Sequence, residues 1–272
     1  MTLIINGEPD YMVDPGAHDP LARAAAAAAD GVGCVLISLS SPLGIEWLPP
    51  HEANQLLDAY HAGALALPAP FRAWAAACLS EVEPERLEAE LDRGCVGLQL
   101  PAPALVDAAG YSRCAPLLAL LETRGVPLFI HPGSAPAATA ALPAWWPALV
   151  PYVQQMHAAW YAFLAFGRPQ HPSLRVCFAM LAGLAPLHGE RAAMRGAGRG
   201  AVDSDAFLET SSYGPRALDA VVRVLGIDVL VHGSDRPYAL PVAGGLGQAA
   251  EQALRLRNPL RLLAARGVPQ SL

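Results

Sequence analysis

The chain has 272 residues and a formal net charge of -6, with 53% hydrophobic and 15% charged residues. High hydrophobicity excludes an intrinsically disordered chain, and an acidic balance without an arginine-rich run excludes the electrostatic pattern of a nucleic-acid binder. All 18 basic residues are arginine, which excludes a lysine Schiff base and a phosphate loop ending in Gly-Lys.

Short apolar or β-branched runs alternate along the chain with alanine- and leucine-rich stretches. The predicted strands are residues 2–6, 34–40, 64–67, 95–100, 126–131, 175–180, 207–211 and 228–232. The predicted helices are residues 20–29, 50–61, 84–93, 115–124, 152–166, 215–225, 247–256 and 259–265. Eight strand–helix repeats without a boundary predict one α/β domain over residues 1–272, a single (β/α)8 TIM barrel. A doubly wound open sheet is the alternative, and the missing Gly-x-Gly-x-x-Gly turn disfavours it.

The five cysteines are widely spaced and form no C-x-x-C motif. This pattern predicts buried, reduced thiols rather than disulfides or a zinc site. The first residues lack a basic segment followed by an apolar one, and prolines interrupt the uncharged stretch 125–167. We therefore expect a cytoplasmic protein without a membrane span. The bias toward arginine and alanine is typical of a GC-rich bacterial genome.

Polar and titratable side chains follow several of the predicted strands. The carboxyl ends of barrel strands meet at one mouth, where barrel enzymes carry their chemistry. His131 ends the fifth predicted strand and Asp235 follows the eighth, so we expect them to act as an acid/base pair. The further candidates at strand ends are Glu8, Asp10, Met180, Ser211, Ser212 and Arg236.

Each acid/base candidate also has a purely structural interpretation. His131 is then a residue that hydrogen-bonds a loop, and Asp235 stabilises a turn through its own backbone amides. Glu8 and Asp10 flank a proline and would form a solvated turn.

Four segments of the second half carry a family resemblance: RGVPLFIHPG, HPSLRVCFAMLAGLAPLHGER, FLETSSYGPRALDAVVRVLGIDVLVHGSDRPYA and NPLRLLA. They resemble the amidohydrolase superfamily, in the branch of aminocarboxymuconate-semialdehyde decarboxylase. The resemblance implies a barrel with a metal held by a His-x-His pair, two further histidines and an aspartate. His131 and Asp235 match two of these positions. Glu8 and Asp10 stand where the family has its His-x-His pair, and Met180 replaces a histidine.

These replacements change the ligand chemistry. Zinc favours imidazole and thiolate, and the Met180 thioether is a poor ligand for zinc, manganese or magnesium. We therefore predict acid/base catalysis without a cofactor, in which Glu8 or Asp10 assists His131 and Asp235. Their carboxylates would raise one another's pKa if no cation lay between them. A divalent metal (Mn, Fe or Zn) held by these four residues is the first alternative, and a non-catalytic ligand-binding or partner scaffold is the second.

The predicted reaction is hydrolysis, decarboxylation or another lyase step on a small organic acid, lactone or amide. Arg236 is expected either to clamp a substrate carboxylate or to pair with Asp235 or Glu209. Ser211 and Ser212 are expected to donate hydrogen bonds to the substrate or, alternatively, to satisfy the backbone. Met180 would also contact the substrate.

The segment 134–166 is rich in aromatic residues and lacks charge. It predicts an apolar lid over the mouth, in which His157 and Trp160 would contact a small-molecule substrate. The alternatives are packing roles for these two residues and a subunit interface for the segment. We expect a homodimer.

Overall fold

The computed structural model describes the backbone of residues 2–3 and 11–12 and the whole of residues 13–135, 142–197, 202–242 and 245–264. Most of the predicted first strand lies outside these residues, and so do the candidates Glu8 and Asp10. The strands are β1 (Thr2–Leu3), β2 (Tyr11–Met12), β3 (Val35–Ile37), β4 (Phe71–Ala73), β5 (Leu98–Pro101), β6 (Leu128–His131), β7 (Val176–Phe178), β8 (Ala206–Glu209) and β9 (Leu230–Val231).

The parallel strands follow one another in chain order, as they do in a barrel. β3 pairs with β4, and β5 to β9 form a continuous five-stranded parallel sheet. A parallel bridge between Ala75 and Leu98 joins the two sets. β1 and β2 instead form an antiparallel pair. This is the strand order of a (β/α)8 barrel, and the fold prediction is confirmed.

Helices cover the outside of the sheet between the strands. They are α1 (Pro20–Ala29), α2 (Pro50–Leu65), α3 (Pro84–Asp92), α4 (Ala108–Arg124), α5 (Trp146–Leu149), α6 (Pro151–Ala162), α7 (Arg168–Gln170), α8 (Gly189–Ala192), α9 (Pro215–Leu225), α10 (Gln248–Gln252) and α11 (Asn258–Leu263). Asp19 and Asp107 cap α1 and α4 by accepting backbone N–H bonds of 2.7 Å each, which satisfies donors that a helix start leaves free. None of these helices is long and apolar enough to cross a membrane.

The predicted third strand is wrong. Residues 64–65 are the last residues of α2, and the strand is β4, Phe71–Ala73. The alanine-rich end of α2 carries no β-branched residue, and a short apolar run of this kind does not distinguish a strand from a helix. The prolines at positions 68 and 70 mark the loop between the two elements.

Alternating side chains give the sheet two different faces. Leu98, Leu128 and Val176 lie in register and belong to the main core beneath the helices. The residues after them, Gln99, Phe129 and Cys177, also lie in register and point into the barrel, because successive strand residues face opposite sides. Of the cysteines, four are buried as predicted, whereas Cys34 is exposed.

The predicted lid segment divides into two parts. Trp160 and Phe163 pack edge-to-face on Phe178, with ring centroids 5.1 and 5.7 Å apart, so this half of the segment belongs to the core. Trp145 and Leu149 are 54% and 62% exposed. A lid and a homodimer interface both stay predictions for this exposed part.

Candidate active site

His131 is the last residue of β6 and points into the barrel beside Phe129, at a ring-centroid distance of 6.0 Å. Its Nδ1 lies 2.9 Å from the carbonyl oxygen of Pro132. A carbonyl only accepts hydrogen bonds, so Nδ1 carries the proton and Nε2 keeps the lone pair of the neutral ring. Burial lowers the pKa of His131, which keeps the ring neutral at pH 7.

Glu209 is the last residue of β8, two strands away from β6. Its Oε1 accepts the backbone N–H of Ser211 at 2.7 Å, and its Oε2 accepts the Ser211 hydroxyl at 2.7 Å and the Met180 N–H at 3.2 Å. These bonds favour the ionised form, but loss of water around the carboxyl outweighs them and raises the pKa of Glu209 to about 7. The carboxyl is therefore fixed in position and titrates near neutrality.

Asp235 lies in the loop after β9, and β9 is the strand that pairs with β8, which ends at Glu209. It is open to solvent at the mouth and has a left-handed backbone with φ of 52°. Protein atoms around it displace part of its water and raise its pKa to about 6. The negative charge of Asp235 also contributes to the raised pKa values of Glu209 and of Tyr152 on α6. The two carboxyl groups and this phenol are thus electrostatic neighbours.

A left-handed turn follows β7 and leads into this site. Its five consecutive residues have φ between 49° and 62° and are Met180, Leu181, Ala182, Gly183 and Leu184. Each left-handed residue other than glycine costs roughly 1–2 kcal/mol, so packing must hold the turn. A Cβ on Gly183 would lie 2.7 Å from the Val153 carbonyl oxygen of α6. The first N–H of the turn, from Met180, is the one that bonds Glu209.

Two of the predicted substrate contacts bond other protein groups. Arg236 donates from Nε and a terminal nitrogen to Asp30 at the end of α1, over 2.8 and 3.1 Å. It pairs with neither Asp235 nor Glu209, and its guanidinium anchors the loop after β9. Ser211 is bound to Glu209, which makes it a support for the carboxyl.

The remaining predicted substrate contacts differ in how far they are buried and in what they touch. Ser212 is exposed beside Ser211. The His157 ring contacts the rings of Tyr161 and His188, at centroid distances of 5.2 and 5.1 Å, and Trp160 of α6 is a core residue. The Met180 side chain is half-buried against the main core. The Trp160 ring packs on Phe178 in the core, and its contact with a substrate stays a prediction.

Aromatic rings line the barrel below His131. Trp74 and Phe129 stack with centroids 5.3 Å apart and an angle of 21° between their planes. Phe129 packs on Cys177, Phe207 and Val231 of the inner face. This wall offers an apolar surface between the imidazole and the two carboxyl groups.

The donors described at the mouth do not form a metal centre on their own. His131 and Asp235 supply one imidazole and one carboxylate, and Glu209 already accepts three hydrogen bonds. Within the described residues, the only group of three donors at ligand spacing is Asp58, His61 and Glu90, between α2 and α3. There Nε2 of His61 accepts the Ala76 N–H at 3.0 Å, so Nδ1 keeps its proton and cannot bind a cation.

No protein-family model and no curated protein sequence matches the chain, but many solved structures do. All of those compared below share its barrel fold. An amidohydrolase II aligns with a TM-score of 0.75 and 18% identity, over 90% of this chain and 88% of the other.

Decarboxylases are among the similar structures. A 5-carboxyvanillate decarboxylase, LigW2 from Novosphingobium aromaticivorans with bound manganese, aligns with a TM-score of 0.74 and 16% identity, over 89% and 80% of the two chains. The 2,6-dihydroxybenzoate decarboxylase from Rhizobium has a TM-score of 0.68 and 18% identity, over 89% and 87%. The resemblance noted in the sequence thus extends to the three-dimensional fold.

Glu209 is the site residue that the sequence analysis missed. The sequence indicates Glu209 only as a partner of Arg236. The signal was present, because Glu209 is the sole acidic residue of the predicted strand FLETS, although only the structure shows that β8 ends at this residue.

Proposed function

We propose that the protein is a decarboxylase of a small, hydroxylated aromatic acid and that it works by acid/base catalysis. The observation that carries the proposal is the pair of carboxyl groups Glu209 and Asp235, which titrate near neutrality at the strand ends that also carry a neutral imidazole. The decarboxylases with the same fold support the reaction class.

Glu209 is the proton donor in this proposal. Its pKa of about 7 leaves a large protonated fraction at neutral pH, which suits a general acid. The ionised Asp235 helps to keep that proton on Glu209. The Ser211 hydroxyl can donate to the carboxylate and accept from the acid, so it supports both forms.

His131 is the base. Its Nε2 lone pair points away from the Pro132 carbonyl and can accept the proton of a substrate phenol. Adjacent parallel strands lie about 4.8 Å apart, so the backbones of β6 and β8 are separated by roughly 10 Å. That separation allows an aromatic ring to lie between His131 and Glu209, against the wall formed by Trp74 and Phe129.

The reaction then balances as a proton-for-carboxylate exchange. His131 takes the phenol proton, which increases the electron density of the ring. Glu209 protonates the ring carbon that carries the carboxylate, and the bond to the carboxylate breaks. Its electron pair returns to the ring as CO2 leaves, His131 returns its proton to the phenolate, and Glu209 regains one from water.

A metal-dependent version of the same reaction is the second candidate, because similar structures were solved with manganese. His131 and Asp235 would be two of its ligands, and Glu8 and Asp10 would complete the set. In the proposal that we favour, His131 and Asp235 act without a metal.

The test combines metal analysis with turnover. Protein purified without metal-affinity resin is assayed against hydroxybenzoates, with and without chelator, beside His131→Ala. We expect CO2 release that survives chelation and is lost in the variant. A stoichiometric metal whose removal abolishes turnover would establish the second candidate, and no turnover of any hydroxybenzoate with either protein preparation would overturn the decarboxylase proposal.

A further inference from the structure

Three buried polar residues form a separate group at the carboxyl ends of β3 and β5. Ser41 and Glu46 lie in the two short 3-10 turns after β3, and Gln99 lies within β5. Their exposed fractions are 1%, 0% and 0%. None of the three has a part in the proposed reaction.

Hydrogen bonds join these residues into an open chain. Nε2 of Gln99 donates to the Leu39 carbonyl at 2.7 Å and to the Ser41 hydroxyl oxygen at 2.9 Å. The Ser41 hydroxyl donates to Oε1 of Glu46. This series of hydrogen bonds leaves two buried acceptor oxygens without a partner, Oε2 of Glu46 and Oε1 of Gln99.

No cation offsets the Glu46 carboxyl among the ion pairs of the described residues. Tyr60 of α2 faces it and donates its hydroxyl to the Trp74 carbonyl at 2.7 Å. Arg113 of α4 stacks on the neighbouring Trp47 at 5.1 Å and donates to the Ala104 carbonyl.

Cys78 is a buried thiol in the same small apolar cluster as Ile45, the residue before Glu46. It precedes Leu79, whose N–H donates to the Glu46 backbone carbonyl at 2.7 Å. A buried carboxylate without a cation is strongly unfavourable, and burial raises the pKa of Glu46 to about 7.

We propose that Glu46 binds a proton on Oε2 and donates it to Oε1 of Gln99, which closes a ring of three hydrogen bonds through Ser41. One proton then satisfies both unpartnered oxygens. The orientation of the Gln99 amide agrees with this, because the bond from Nε2 to Leu39 fixes Oε1 as the acceptor.

The ring makes the segment Ser41–Trp47 sensitive to pH. The pKa of Glu46 is raised in the folded protein above its ordinary value of 4.5. The ring therefore stabilises the fold fully below about pH 4.5, and the stabilisation is lost as the pH rises through about 7. Above that pH the fold must hold a buried negative charge, or the segment must open.

The test compares the wild-type protein with Glu46→Gln by urea unfolding between pH 5 and 8. The amide supplies the same donor toward Gln99 without titrating. We expect the ratio of the wild-type unfolding constant to that of the variant to rise about five- to tenfold per pH unit from pH 5 to 7, and to level off above. Glu52→Gln, on the exposed surface of α2, is the control and should give a constant ratio.

Infrared spectroscopy provides the second measurement. At pH 6 the wild-type minus Glu46→Gln difference spectrum should contain the carbonyl stretch of a protonated carboxylic acid. A pH-independent unfolding ratio, the absence of this band, or a Glu46→Gln protein that does not fold would each overturn the proposal.

Discussion

The carboxyl group of Glu209 fills the space that a side chain at Gly233 would need. A Cβ built on Gly233 would lie 1.2 Å from Oε1 of Glu209 and 2.1 Å from its carboxyl carbon. Three hydrogen bonds from Ser211 and Met180 hold the carboxyl in that space. The glycine after β9 and the acid at the end of β8 therefore define each other's positions.

Gly233→Ala should remove activity while the barrel still folds. The methyl group forces Glu209 out of its hydrogen bonds, and we expect kcat to fall at least about 100-fold. Overpacking of this kind lowers the free energy of unfolding by about 1–3 kcal/mol. Gly189→Ala is the matched control, because a Cβ built at that position meets nothing within 4 Å beyond its chain neighbours and the backbone of its own helix. Equal activity in the two variants would contradict this prediction.

Glu209→Gln tests the proton donor directly. The amide keeps the shape of the side chain but has no acidic proton, so kcat should fall by about 10²–10⁴. Circular dichroism and the unfolding midpoint should stay close to those of the wild type. Glu190→Gln on exposed α8 is the control. If Glu209→Gln releases CO2 at the wild-type rate, Glu209 is not the acid.

The pH dependence of kcat should be bell-shaped. Glu209 acts as an acid and loses its proton as the pH rises through about 7, so the rate should fall above that pH. At acidic pH the base His131, whose pKa burial lowers, gains a proton and can no longer accept the phenol proton, so the rate should fall there as well. In the residual activity of Glu209→Gln, the upper limb should be absent while the lower one stays. A rate that rises steadily up to pH 9 would contradict this assignment.

Arg236 and Asp30 should behave as one unit. If their bidentate pair anchors the loop that carries Asp235, then Arg236→Gln and Asp30→Asn should lower kcat by similar factors. The double variant should be no worse than either single one, since each removes the same interaction. A substrate-binding arginine would give a different result: KM would rise in Arg236→Gln and stay unchanged in Asp30→Asn.

The predicted and observed elements agree where the bounds of an element are set by residues at or next to its ends, and they differ where distant parts of the chain decide. α9 was predicted with its observed bounds, because a proline at its start and a glycine after its end are local signals. The prediction of the third strand was wrong because the alanine-rich end of α2 and a short buried strand give the same apolar pattern. Arg236 could not be assigned, since its partner Asp30 is 206 positions away in the chain.

The sequence by itself determined the barrel and the set of residues at the strand ends, His131 and Asp235 among them. These follow from the apolar periodicity and from the rule that parallel strands end at one mouth. Only the tertiary structure decided that Glu209 is a neighbour of Asp235 with a raised pKa, that Ser211 supports it, and that Arg236 anchors a loop. Burial and long-range contacts set the energies of charged groups, and neither exists until the chain has folded.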